Sequence, residues 1–138
     1  MKSNSESTEN RPTELCALTE KVAKQAELAQ LPIEAQTCQK IADFVDFLWD
    51  YNRRLNLVGT KDIEQIIEKH VLDAFTVAKT FQKQAEAKSY VDLGSGGGLP
   101  GMLVALVNPA LEVTLVDAIG KKCRFLEEAT DKLCRGYR

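Results

Sequence analysis

SYVDLGSGGGLPG, residues 89–101, decides the fold. An apolar run ends in a turn with five glycines in eight positions, and another apolar run follows. Ser89 to Leu93 reads as a short strand bounded by turn residues. Leu99 to Val107 reads as a helix with Pro100 in its first turn, where a missing N–H costs nothing. Asn108-Pro109 ends that helix. Glu112 to Asp117 reads as a second strand, and Ile119 to Leu133 as a helix with Phe125, Leu126, Ala129 and Leu133 on one face. Short apolar strands joined by a helix predict parallel pairing through a right-handed crossover.

Upstream the texture is helical. Residues 13–30 are rich in Ala, Leu, Glu and Lys, with Thr13 placed as an N-cap and Leu31-Pro32 as the break. From 34 to about 54, Ile41, Phe44, Val45 and Leu48 form one apolar stripe that Trp49 and Tyr51 widen. Gly59 punctuates residues 55–60. Residues 61–81 return to helical spacing, with a break near His70 that could split them in two, and 82–88 read as a polar linker. The expected organisation is a disordered tail over 1–12, a helical region over 13–84 and a Rossmann-like unit over 85–138. The fold class is α/β.

Composition narrows the function. A hydrophobic fraction of 44% and a charged fraction of 28% are those of a globular domain. The net charge of −2 argues against a general coat of basic charge, while a local basic patch stays open. No apolar run is long enough to span a bilayer, and the N-terminus has no apolar signal segment, so a cytoplasmic location is expected. Cys16, Cys38, Cys123 and Cys134 form no CxxC pair and His70 is the single histidine, so reduced thiols are expected and no metal site.

A strand, a glycine turn and a helix start suit a nucleotide-like ligand. Glycine lets a ligand press on the main chain, and a helix start offers unpaired N–H groups. Asp117, ending the second strand, is placed to accept hydrogen bonds from ribose hydroxyls. Gly96, Gly98 and Gly101 spell GxGxxG, which alone is a weak signal for a dinucleotide such as NAD. Asp92, Gly94, Gly96 and Gly98 instead spell DxGxGxG. A carboxylate beside the turn would repel a pyrophosphate and suit the ammonium and sulfonium of S-adenosylmethionine. The residues favour S-adenosylmethionine; NAD, or a turn with no ligand, stays open.

The segments YNRRLNL (51–57), KHVLDAF (69–75), VDLGSGGGLPG (91–101) and LVDAIGKKCRFL (115–126) occur in the order and spacing of the GidB family, and the chain resembles it over roughly 31–133. The resemblance implies a class I methyltransferase of bacterial small-subunit ribosomal RNA, acting on guanine N7 with S-adenosylmethionine. It implies cofactor contacts from Asp92, Gly94, Ser95, Gly96, Gly97, Gly98 and Leu99, with Asp117 holding the ribose. Asn56 and His70 match recurring positions of the family's helical front end, although a packing histidine is the plainer reading of His70. Arg53, Arg54, Lys121, Lys122 and Arg124 are the basic candidates for RNA, each of which could equally be a solvated helix face. Guanine N7 carries no proton at neutral pH, so no general base is named and catalysis would rest on positioning.

The resemblance also implies about seven strands, where the sequence supplies two βα units, so a C-terminally truncated, incomplete sheet is expected. The last residues, Arg135 to Arg138, lose the pattern. An unpaired central strand predicts marginal stability and self-association through an exposed sheet edge. Activity of this chain alone is therefore doubtful by its sequence, and a non-catalytic remnant that binds RNA or protein is the alternative reading.

Overall fold

The structure is a computed structural model that describes residues 11–60, 62–84 and 86–133. The expectations for residues 1–10, Cys134 and 135–138 lie outside the described residues. Four helical stretches come first: α1 (Arg11–Leu28), α2 (Ala35–Asn52), the short α3 (Ile63–Gln65) and α4 (Leu72–Lys83), with a π-helical segment, Ile66–Val71, between the last two. Strand β1 (Ser89–Leu93), helix α5 (Gly101–Val107), strand β2 (Glu112–Val116) and helix α6 (Gly120–Leu133) follow.

The helices form because apolar residues recur on one face, and that face is the core. Ile41, Phe44, Val45 and Leu48 of α2 are completely buried, as the stripe predicts, and so are Phe75 of α4 and Phe125 of α6. Helix α1 begins at Arg11 rather than after Thr13, with Pro12 in its first turn, where proline is tolerated. Its end is a Schellman cap. Gln30 takes φ +55°, Leu31 N–H reaches back to the Ala26 carbonyl, and Gln30 N–H to that of Glu27. The break expected near His70 is a change of helical pitch: the π-helical turn keeps Ile66, Ile67 and Val71 buried while the chain runs on into α4. Helix α4 extends to Lys83, so the linker is shorter than the sequence suggests.

Strands β1 and β2 pair in parallel, Ser89 opposite Glu112 and Leu93 opposite Val116. One face of this pair, carrying Asp92, Tyr90, Val113 and Leu115, turns toward the helices. Helix α5 packs between β2 and α4, while α2 packs on both α5 and α6. The helical layer therefore reaches the tip of β1, where the glycine turn begins. Pro100 precedes α5 as its cap rather than lying within it. Among the described residues no helix is long and apolar enough to cross a membrane.

Candidate functional site

The glycines of the turn divide into two groups by what surrounds them. Gly94 (φ +75°) and Gly96 (φ +51°) adopt left-handed backbone, and a side chain added at Gly94 would meet nothing within 4 Å. These two residues form an open lip at the end of β1 that a ligand could approach directly. Gly97, Gly98 and Gly101 face inward instead. A Cβ on Gly97 would lie 3.0 Å from Val58 and 3.1 Å from Leu48; one on Gly98 would lie 3.1 Å from Phe44. On Gly101 it would stand 2.6 Å from Asp92 Oδ2. Gly97 and Gly98 let α2, the loop at Val58 and Leu126 of α6 close on the turn, and Gly101 lets α5 close on Asp92 and Leu115 of the two strands.

Ser95 fastens the turn to the second strand. It is 2% exposed; its hydroxyl donates to the Asp92 carbonyl at 2.8 Å and accepts from Val116 N–H at 3.1 Å. The Gly94 and Ser95 N–H groups both donate to the Val116 carbonyl, at 2.7 and 2.9 Å. The tips of β1 and β2 are thus held at fixed separation, and Asp117 follows immediately.

Asp117 faces the lip. Its Oδ2 accepts from Gly96 N–H at 2.9 Å and its Oδ1 from Ile119 N–H at 2.9 Å. The Ile119 and Gly96 amides, helped by the nearby Lys122 ammonium, hold its carboxyl below the ordinary Asp range. The group is therefore an ionised acceptor at neutral pH. Each carboxylate oxygen has a second lone pair, so two hydroxyls of a ribose can still be received. Cys123 donates its thiol to the Asp117 carbonyl at 3.0 Å and steadies the same corner.

Two sequence-level arguments read differently in the structure. Asp92 is buried, and its Oδ2 accepts from Gly101 N–H at 3.0 Å. One of its two carboxylate oxygens thus holds the start of α5, a role the sequence did not show. The helix-start donors are also engaged: Gly101 N–H by Asp92 and Met102 N–H by the Gly98 carbonyl. Leu99 is half-buried beside this start.

The basic candidates separate similarly. Arg54 lies over the Tyr51 ring at 5.1 Å and Arg53 over Trp49 at 5.9 Å. Arg124 acts electrostatically on the Tyr51 phenol, which burial and then its hydrogen bond to Glu128 push up. Arg54 and Arg124 therefore both act on Tyr51 where α2 meets α6, with Phe47 stacked on Phe125 and Tyr51 tilted against both. Lys132, which the sequence did not single out, joins them 4.8 Å over Phe47. Arg54 is also within 3.8 Å of Asp50 in an exposed pair of little energetic consequence. Lys122 lies near Asp117, Lys121 and Asn56 are exposed, and His70 is half-buried in the π-helical segment that packs on α1 and α4.

Sequence reasoning also missed Asn52. Its side-chain oxygen accepts from the N–H groups of Leu57 and Val58, at 2.8 and 3.0 Å. This folds residues 53–58 back so that the Leu57 carbonyl and Val58 side chain meet Gly96 and Gly97. An Asn at the end of a helix and five residues before an apolar pair was the available signal. Among the described residues no group of three His, Cys, Asp or Glu side chains could hold a metal ion.

Residues 37–135 match the GidB family, described as rRNA small subunit methyltransferase G. A protein named ribosomal RNA small subunit methyltransferase G from Halorhodospira halophila is 36% identical over 104 residues, 75% of this chain and 48% of its own length. Proteins of the same name from Ruthia magnifica and Clostridium botulinum are each 33% identical, over 78% and 81% of this chain and 51% and 46% of theirs. The chain spans about half the length of the curated relatives it matches. With nearly three quarters of its residues inside the family match, glycine turn included, the chain belongs to the rRNA small subunit methyltransferase G (GidB) family.

Proposed function

We propose that this chain carries the S-adenosylmethionine half-site of a small-subunit ribosomal RNA methyltransferase, with guanine N7 as the acceptor. The observation that carries the reading is the open lip of Gly94 and Gly96 facing the ionised Asp117 carboxylate. When bound, the cofactor supplies the methyl group as a sulfonium. The chain's own residues bind and orient: Asp117 accepts from the ribose hydroxyls, Gly94 admits the ligand to the main chain, and Ser95 fixes the strand tips. N7 needs no deprotonation, so positioning carries the rate. The acceptor edge is hard to reach in A-form RNA, so the substrate base would be in an open loop or turned out. The aromatic and basic surface of Arg54, Arg124 and Lys132 suits RNA backbone and exposed bases. The reaction would take place in the cytoplasm, where ribosomal RNA is modified.

A second reading, a binding module for RNA or protein without catalysis, is favoured by one observation. The buried core residues lie mostly on the helices, and the sheet has two strands among the described residues. Amide NMR during S-adenosylmethionine titration separates the two. Shifts concentrated at Gly94, Gly96 and Ile119 support the half-site; an unchanged spectrum of the folded chain supports the module.

A further inference from the structure

Helix α2 ends at Asn52, and Arg53 and Arg54 follow it directly. Both arginines are exposed and lean back over Trp49 and Tyr51. The chain then reverses. Arg54 and Leu55 N–H both donate to the Tyr51 carbonyl, at 3.0 and 2.9 Å. Beyond that turn one atom sets the path. Asn52 Oδ1 accepts from Leu57 and Val58 N–H together, which engages both of its lone pairs. At the far end the Thr60 hydroxyl meets Gln65 Oε1 at 2.7 Å, and Asp62 caps α3 through Gln65 N–H. Residues 53–60 are thus pinned at both ends, and their middle leans on the glycine turn. A Cβ on Gly97 would lie 3.6 Å from the Leu57 carbonyl, and one on Gly96 3.7 Å from it.

The loop therefore presents different chemistry on its two sides. Its outer end carries the guanidinium groups of Arg53 and Arg54, which suit phosphate. Its inner side sets the Leu57 carbonyl and the Val58 side chain against Gly96 and Gly97. Gly96 in turn donates to the Asp117 carboxylate. We propose that Asn52 is a positioning residue that couples the two ligands of this chain. RNA phosphate on Arg53 and Arg54 fixes the loop, the loop fixes Gly96 and Gly97, and each ligand tightens the other. The proposal rests on the cofactor and RNA function proposed for this chain, and adds a dependence of one ligand on the other. Its physical basis is order. Residues 53–60 are irregular chain, and holding them in one conformation costs entropy. The first ligand to bind meets that cost, and the second finds the loop already set. Linkage makes the effect equal in both directions.

The test is calorimetric titration of the 138-residue chain with S-adenosylhomocysteine, alone and saturated with a small-subunit RNA fragment. S-adenosylhomocysteine lacks the sulfonium charge, so attraction of phosphate for a sulfonium does not contribute. RNA should tighten its binding roughly fivefold or more, and S-adenosylhomocysteine should tighten RNA binding by the same factor. RNA alone should slow hydrogen exchange at Leu57 and Val58. Asn52→Ala should bring both factors to about one. Asn52→Asp keeps an oxygen that accepts from the two N–H groups and should restore them. Each factor is a ratio within one variant, so an effect of the new charge on RNA affinity alone cancels. A parent that binds both ligands with a factor of one would overturn the coupling and leave the cofactor site standing. So would a folded Asn52→Ala that retains the factor, or an Asn52→Asp that does not restore it. Should Asn52→Ala fail to fold, the factor in the parent and its exchange at Leu57 and Val58 still decide. A folded parent that binds no S-adenosylhomocysteine would overturn the cofactor site and the coupling together.

Discussion

The backbone N–H of Gly96 donates to Asp117 Oδ2 at 2.9 Å, joining the glycine turn after β1 to the residue that follows β2. This bond, with the Ile119 N–H on Oδ1, makes the shape of the lip depend on the charge of one carboxylate. A ligand that offers hydroxyls to Asp117 therefore meets an acceptor already oriented by the main chain.

That dependence has a sign. The folded pKa of Asp117 is lowered, so its contribution is present above the unfolded Asp value and is lost as pH falls through the lowered folded value. The Gly96 and Ile119 amides should keep constant chemical shifts at neutral pH and move together under acid, below the ordinary carboxylate range. Asp117→Asn should abolish that shared transition. Gly96 and Ile119 shifts that still titrate in the variant would contradict the assignment.

The two groups of glycines should respond differently to a methyl group. Gly98→Ala combines a positive φ with a 3.1 Å approach to Phe44 and should lower unfolding free energy by ~1–3 kcal/mol in urea titration. Gly94→Ala adds its methyl to open space and incurs the backbone strain alone, ~1 kcal/mol. Its larger effect should be on cofactor affinity. Equal stability losses with unchanged binding would argue against an open lip.

Asn52→Ala removes the acceptor for two backbone N–H groups that shape residues 53–58. A loss of ~1–3 kcal/mol is expected from the unsatisfied donors, with increased hydrogen exchange at Leu57 and Val58. Because that loop buttresses Gly96 and Gly97, cofactor affinity should fall too, without any direct contact. A variant with native exchange over 53–58 would show that Asn52 does not hold the loop.

The paired substitution Arg54→Ala, Arg124→Ala tests the aromatic and basic surface. Affinity for a small-subunit RNA fragment, followed by fluorescence anisotropy, should drop, and its logarithmic salt dependence should weaken by roughly 2. Cofactor binding should be untouched. An unaltered salt slope would place RNA contacts elsewhere.

Much of the site was legible because it is local. β1 spans Ser89 to Leu93 as its apolar run and glycine stop imply, and Asp117 stands at the end of β2 where a ribose acceptor is expected. What the sequence could not show depends on distant partners. That Gly98 is closed while Gly94 is open is decided by Phe44 and Leu126, both far from the turn in sequence. That Asp92 also anchors α5 through the Gly101 N–H depends on a close approach nine residues away. The π-helical turn at Ile66–Val71 keeps the periodicity of an ordinary helix in sequence, and Gln30 occupies a cap position that glycine usually signals.

The most direct test of the central claim is calorimetric titration of the 138-residue chain with S-adenosylhomocysteine, beside Asp117→Ala. Removing a charged acceptor of two hydroxyls should weaken binding by roughly ten- to a hundredfold. Saturable binding by the parent and that loss in the variant are the predicted result. A folded parent that does not bind, or a variant that binds equally well, would contradict a cofactor half-site at Gly94, Gly96 and Asp117.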